Sequence, residues 1–387
     1  MTVWNGLVGQ QQVIETLRAA AGGHGMSHAF LFTGPPGSGR SNAAIAFAAA
    51  LQCEQEPPGC GTCHACHTVL AGSHADVSVV RTEGLSIGVR EVRDLVRRSA
   101  LRPVGRRWQI VVVEDADRVT EQASNALLKA IEEPAERTVW MLCTPTVEDV
   151  LPTIRSRCRL VSLTTPTADD VADFLVRTDG VDAALASYAA RASQGHIGRA
   201  RALARDDQTR NRRREVVAIP AQLTSLGRCM QAAARLTEVT KEEADAITTV
   251  LDAREKGELD TAYGVVERGR RPREYAPALR DLEQDQKRRA KRRQLDVVDR
   301  GLMDLVSVYR DAIAVAQGAP GRLVNEEIRA DVELLARVSS PETNLRRISA
   351  VFEAREQMLE FNVQPALALE SMMVALVAPE ARETRAR

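Results

Sequence analysis

The sequence predicts an α/β phosphate-loop domain, then a small helical domain, then a larger all-helical one. Three observations carry this. Short apolar runs alternate with helical patterns through the first 165 residues, the pattern of a parallel sheet covered on both faces. One run, residues 29–33, leads directly into Gly34-Pro35-Pro36-Gly37-Ser38-Gly39-Arg40-Ser41 and an Ala-rich stretch. That is the strand, loop and helix order of a phosphate-binding loop. After Leu163 the alternation stops, and nearly everything that follows reads as helix.

Taken in order, strands are expected at residues 29–33, 76–80, 110–113, 139–142 and 159–163. A helix is expected over about 41–51. A second is expected over 87–96, where Ile87, Val92, Leu95 and Val96 fall at helical intervals. The implied domains are 1–165, 166–207 and 208–387. In the middle one, Gly180, Gly195 and Gly198 act as punctuation between helices. In the last, Leu302, Leu305, Val306, Tyr309 and Ile313 share one helical face, and residues 318–320 and 339–341 read as turns.

Composition narrows the function. Hydrophobic residues make up 44% and aromatic ones only 3%, so the cores are built from Ala, Leu, Val and Ile. The 52 basic residues are matched by 52 acidic ones. Overall charge therefore does not announce a nucleic-acid binder, and any DNA contact must come from a local patch or a larger assembly. No apolar stretch approaches the roughly 20 residues of a membrane span. The first residues have neither a basic start nor an apolar signal core, so a cytoplasmic protein is expected. Seven cysteines in such a chain argue for reduced thiols or metal ligands.

The glycines of the 34–41 loop let backbone N–H groups turn toward an anion, and the helix start adds a partial positive charge. The Lys expected before Ser41 is Arg40. A planar, bulkier guanidinium does not replace a compact ammonium at a tight site. The third strand ends in Glu114-Asp115, whereas a working ATPase centre has Asp for Mg²⁺ and then Glu to activate water. Taken alone, the pair reads as a solvated acidic strand end. Beside the altered loop, it reads as the relic of an ATPase centre.

Cys53, Cys60, Cys63 and Cys66 follow the phosphate-loop helix, with Pro57, Pro58, Gly59 and Gly61 supplying turns. Four thiolates at such spacing can wrap a tetrahedral Zn²⁺ and leave no open position, so the site is structural. A redox pair and chance clustering are the competing readings. Cys143, Cys158 and Cys229 are expected to be packed core residues.

Residues 124–134, Ser-Asn-Ala-Leu-Leu-Lys-Ala-Ile-Glu-Glu-Pro, are an ordinary amphipathic helix on physics alone. They resemble the signature of the clamp-loader subunits of bacterial DNA polymerase III, an AAA+ family. Ser156-Arg157-Cys158 resembles the same family's Ser-Arg-Cys motif. Val8-Gly9-Gln10, the cysteine cluster and residues 359–370 extend the resemblance over the whole chain. It implies an AAA+ module with a lid, and a collar that holds a hetero-oligomer together. The implied partners are gamma/tau and delta subunits, the sliding clamp, and primed DNA through the assembly. Arg157 would act in trans as an arginine finger, a role suited to an always-charged, forked side chain. The alternative for Arg157 is a surface salt bridge. Thr144 lies in the sensor 1 region. Arg40 and the Glu114-Asp115 order set the chain apart from the gamma/tau motor, and so does Gly198, which stands where the motor's sensor 2 Arg falls. Arg199 and Arg201 are possible substitutes. The nucleotide site is thus expected to be degenerate, and an active gamma/tau-like ATPase is the alternative.

Lys287, Arg288, Arg289, Lys291, Arg292 and Arg293 form a basic run beside Asp281, Glu283 and Asp285. It reads either as a solvated helix face or insertion, or as a contact for DNA phosphates.

Overall fold

The structure is a computed structural model that describes residues 2–82, 86–105, 107–265, 272–319 and 321–377. The chain divides into two compact units, residues 1–205 and 206–387.

The first unit is built on five parallel strands: β1 (Ala29–Thr33), β2 (Val77–Val80), β3 (Gln109–Val113), β4 (Thr138–Thr144) and β5 (Arg159–Ser162). Their order across the sheet is β2-β3-β4-β1-β5. β1, β3 and β4 are buried at every position, which is why they read as continuous apolar runs. Successive side chains go to opposite faces. Phe30, Phe32, Val112 and Met141 join one core with Leu17 and Phe47. Leu31, Val111, Trp140 and Leu142 join another with Leu127 and Ile131.

The helices of this unit are α1 (Gln11–Ala21), α2 (Arg40–Gln52), α3 (His64–Leu70), α4 (Val89–Ser99), α5 (Glu121–Glu132) and α6 (Pro152–Arg155). Three more follow: α7 (Ala168–Asp179), α8 (Ala183–Ser193) and α9 (Ile197–Arg205). α2 is buried over most of its surface because its small Ala side chains let it lie close to its neighbours. α7 to α9 pack around their own core of Val171, Phe174, Leu175, Ala189, Ala190 and Leu203.

Three local expectations need correction. The helix expected from Ile87 begins at Val89, because Ile87 pairs with Val119 in an isolated parallel bridge. Glu91 accepts a hydrogen bond from the Gly88 N–H at 2.7 Å and fixes that start. β4 runs past both expected ends, since Thr138, Cys143 and Thr144 are buried strand residues that a hydropathy reading underrates. Gly198 lies inside α9, and the break before α9 falls at Gly195, whose φ is +87°.

The second unit is all helical: α10 (Asp207–Val217), α11 (Ile219–Gln222), α12 (Leu226–Ala262), α13 (Tyr275–Ala316), α14 (Arg329–Val338), α15 (Pro341–Leu359) and α16 (Pro365–Val377). Leu302, Leu305, Val306 and Tyr309 are buried in its core and Ile313 is half-buried. Arg213, fully buried, donates to Asp304 at 3.2 Å, to Asn325 at 2.5 Å and to Glu327. Those bonds tie α10 to α13 and to the segment before α14. The 318–320 turn begins at Gly318, with φ +62°, and its Pro320 lies outside the described residues.

Candidate functional site

Strand order brings the sequence-predicted residues together. β4 lies between β1 and β3, with Thr33 opposite Thr144 and Val113 opposite Leu142. The loop after β1, the acids after β3 and Thr144 therefore share the carboxyl edge of the sheet, where ligands of open α/β sheets bind.

The 34–41 loop is held from both sides. The Gly34 N–H donates to the Pro145 carbonyl at 3.1 Å, and the Ser38 N–H to the Pro35 carbonyl at 3.1 Å. A Cβ on Gly37 would lie 2.6 Å from the His196 Cβ, so only glycine lets the start of α9 come this close. Gly39, in the left-handed conformation, precedes α2. Among the described residues, Ser38 Oγ is buried with no hydrogen-bond partner.

Arg40 donates from Nη1 to the carbonyl of Gly34, folding back over its own loop. Burial pulls its guanidinium below the ordinary value, against the attraction of Cys143, Asp117, Asp115 and Asp149. The group remains a cation in any accessible pH range. It thus stands as a fixed positive charge among the acids at this edge. Burial also pushes the Asp117 carboxyl up.

Glu114 and Asp115 diverge. The Glu114 carboxylate is nearly buried and accepts from Arg81 Nε at 2.6 Å. Asp115 accepts from the Thr82 N–H at 3.3 Å. The Thr144 hydroxyl donates to the Thr146 carbonyl at 3.1 Å and to Asp149 at 3.2 Å. Arg157 lies elsewhere, after α6 and before β5. It pairs with Glu132 at 2.8 Å and donates to the Thr153 carbonyl at 2.8 Å. Its side chain is 40% exposed. Arg201 is committed to Asp179 at 2.7 Å and lies over the Phe174 ring.

The second cluster sits at the other end of α2. The sulfurs of Cys53, Cys60, Cys63 and Cys66 all lie within 4.8 Å of one another, and those of Cys53 and Cys63 are 3.9 Å apart. A tetrahedral metal with bonds of about 2.3 Å sets four sulfurs about 3.8 Å apart. Backbone N–H groups already point at the sulfurs: Cys60 to Cys53 at 3.5 Å, Cys63 to Cys60 at 3.3 Å and Cys66 to Cys63 at 3.4 Å. The Thr62 N–H and hydroxyl and the Cys63 N–H pull the Cys60 thiol down to about 6, and burial pushes Cys66 up. Four sulfurs with N–H donors aimed at them can hold one metal ion, with no position left for substrate. His64 and His67 are exposed on α3. Cys143 and Cys229 are buried and Cys158 half-buried.

The basic run on α13 is partly neutralised. Arg289 is buried against Asp252 at 2.8 Å and against Glu255. Arg288 faces Asp285 at 3.6 Å and Arg292 faces Asp296 at 3.8 Å.

Sequence reasoning missed Arg81, Glu132, Asp149 and His196. Glu132 lies in the 124–134 stretch, where only the apolar face was weighed. Arg81 follows the edge strand, and the strand order would have placed it beside Glu114. Nothing in the local pattern marks Asp149 or His196.

A family model described as DNA polymerase III, delta subunit, matches residues 9–167, and one for the C-terminal part of the delta subunit matches residues 300–377. The DNA polymerase III subunit gamma/tau of Mycobacterium tuberculosis strain H37Rv is 38% identical over 154 residues, 39% of this chain and 27% of the relative. The DNA polymerase III subunit delta' of Bacillus subtilis is 30% identical over 193 residues, 50% of this chain and 58% of the relative. That of Haemophilus influenzae is 34% identical over 157 residues, 40% and 48% respectively. The matches span about half the length of the delta' relatives and about a quarter of the gamma/tau one. With the parallel sheet, the phosphate loop and the helical second unit, they place this chain among the clamp-loader subunits of bacterial DNA polymerase III.

Proposed function

We propose that the chain serves as the delta-prime subunit of the clamp loader, a stator that lends one charge to a neighbour rather than turning over ATP itself. The observation that carries this reading is Arg40. Its guanidinium is bonded to the loop's own first carbonyl, at the place where a motor offers a Lys to phosphate. Glu114, at the position where a motor holds its Mg²⁺ carboxylate, is tied to Arg81, and the water-activating position carries the shorter Asp115.

Arg157 is the residue offered in trans. Half-exposed and held, among the described residues, by a surface ion pair and two local acceptors, it can exchange Glu132 for a phosphate oxygen at small cost. A forked cation there stabilises the charge that develops during phosphoryl transfer at the neighbour's site. The partners on this reading are gamma/tau and delta subunits, the sliding clamp, and primed DNA reached through the assembly, in the cytoplasm. The four cysteines hold a structural Zn²⁺, which fixes the knuckle after α2 and takes no part in the chemistry. Residues 166–207 act as the lid and residues 208–387 as the collar.

The second reading is an active gamma/tau-like motor, favoured by the 38% identity to gamma/tau. DNA- and clamp-stimulated ATP hydrolysis of the reconstituted loader separates the two. A finger is worth about 10³–10⁵ in rate at the site it serves. Arg157→Ala is therefore expected to abolish that site's share of turnover, while Arg40→Ala leaves the rate within about twofold. A comparable loss with Arg40→Ala would establish the motor instead.

A further inference from the structure

The half of the α12–α13 hairpin next to its turn lies outside both family matches, the first ending at residue 167 and the second starting at residue 300. The apolar core of the second unit stops at Leu236 on α12 and at Leu295 on α13. Beyond those points a polar seam joins the two helices. Arg289, 6% exposed, donates to Asp252 at 2.8 Å and to Glu255 at 2.7 Å. Gln286 donates to the Asp252 carbonyl and to Glu255, each at 3.2 Å. The hydroxyl of the buried Tyr275 donates to Asp260, and Arg300 reaches Glu243 at 3.1 Å. In these bonds α12 supplies the acids and α13 the donors, so the acids of α12 are turned toward the seam.

The opposite face of α13 carries cations that the seam does not use. Arg280, Lys287 and Lys291 are exposed. They follow one another at seven and four residues, so they line one side of the helix, away from Tyr275, Gln286 and Arg289. Among the described residues, Arg280 and Lys287 have no ion-pair partner. Lys291 donates to Asn362 at 3.1 Å, and a neutral amide leaves its charge uncompensated. Asp281 and Glu283 flank the row, and Asp285 is engaged by Arg288 at 3.6 Å. The three cations span about 16 Å of helix axis, a length over which duplex DNA carries about ten phosphate charges.

We propose that this face of α13 binds the phosphate backbone of duplex DNA. Three observations choose the occupant. Among the described residues, no large apolar side chain is exposed between residues 231 and 333, so the face offers none of the anchors that carry a protein interface. Tyr263 and Tyr275 pack edge to face on each other at 5.9 Å and Tyr275 is buried, so neither offers the open ring on which a single strand stacks its bases. What the face does offer is a row of cations on a helix whose register is fixed by buried bonds, and that suits a regular row of phosphates. The choice of DNA among duplexes rests on the clamp-loader reading.

The test is binding of a labelled DNA duplex by the full chain, read by fluorescence anisotropy between about 50 and 200 mM salt. Each lost phosphate contact lowers the slope of log affinity against log salt by about 0.9. Arg280→Ala, Lys287→Ala and Lys291→Ala combined are therefore expected to lower it by about 2.7, and to weaken binding at the lowest salt about tenfold or more. Arg280→Lys, Lys287→Arg and Lys291→Arg combined keep the charge and are expected to bind like the wild type, which separates lost charge from lost folding. Arg254→Ala removes a cation that α12 already pairs with Glu258 at 3.3 Å, and is expected to leave the slope unchanged. A wild-type chain that does not bind the duplex, or an unchanged slope in the alanine triple, overturns the proposal. So does a loss confined to a single-stranded probe. A defect confined to assembly with gamma/tau also overturns it and makes the face a protein contact. The Arg157→Ala effect on ATPase of the reconstituted loader is read separately. If that variant keeps full turnover while the alanine triple loses duplex affinity, the stator reading fails and the DNA contact stands; the reverse pattern sinks the DNA contact alone.

Discussion

The two ends of α2 carry two candidate ligand sites that differ in what their side chains do. At its start, the phosphate loop keeps its backbone geometry, with Gly34, Gly37 and Gly39 in the conformations that glycine tolerates, but its key cation is turned inward. At its end, Cys53 begins a knuckle whose four sulfurs converge with backbone donors already aimed at them. The comparison teaches that a loop's shape belongs to the fold, because strand, helix and packing hold it, while its chemistry belongs to single side chains. On the proposed reading, the loop has kept shape without chemistry, and the knuckle has kept both.

The largest effect should come from the intact site. Chelation, or Cys63→Ser, is expected to lower stability by about 4 kcal/mol, since loss of a structural metal ranks among the large single perturbations. For a unit of this size that is a fall in melting temperature of about 8–16 °C, recovered on adding Zn²⁺ to the chelated protein but not to the variant. Calorimetry with parallel metal analysis checks it, and an unchanged melting curve in the metal-free protein would remove the structural role. At the other end of α2, Gly37→Ala should cost about 1–3 kcal/mol, through its φ of +87° and the overlap with His196. Adding His196→Gly should recover part of that loss, because the two sites share one contact. Purely additive losses would mean that the strain lies in the backbone alone.

How far the sequence disclosed this follows the same division. The sheet was legible because β1, β3 and β4 are buried on both faces and so read as unbroken apolar runs. The phosphate loop and the cysteines were legible because their spacing is local. The Arg81 partner of Glu114 is 33 positions away, and the contact of Gly37 with His196 spans far more chain. Such pairings depend on strand order and on where α9 lands, which no local pattern carries. The exposed turn at Val104 was illegible for another reason. An apolar residue in a short loop looks like any core residue until Asp76 is seen to hold it outward.

The smallest expected effect is the most specific to the comparison. If only chemistry has been lost from the loop, restoring the side chain should restore some binding. In Arg40→Lys the fork that reaches the Gly34 carbonyl is replaced by a compact ammonium that can meet a β- or γ-phosphate. The acids Asp115, Asp117 and Asp149 that now face the guanidinium would face a metal-bound nucleotide instead. A ligand that binds only the folded chain stabilises it by RT ln(1 + [L]/Kd), about 1.4 kcal/mol at ten times Kd. Millimolar Mg²⁺-ATP is therefore expected to raise the melting temperature of Arg40→Lys by a few degrees and that of the wild type hardly at all. Hydrolysis should stay absent in both, because the water-activating position still carries the shorter Asp115 and Glu114 remains engaged by Arg81. An equal shift in the wild type would show that Arg40 does not close the loop. No shift in either protein would show that the loop's shape has decayed along with its chemistry.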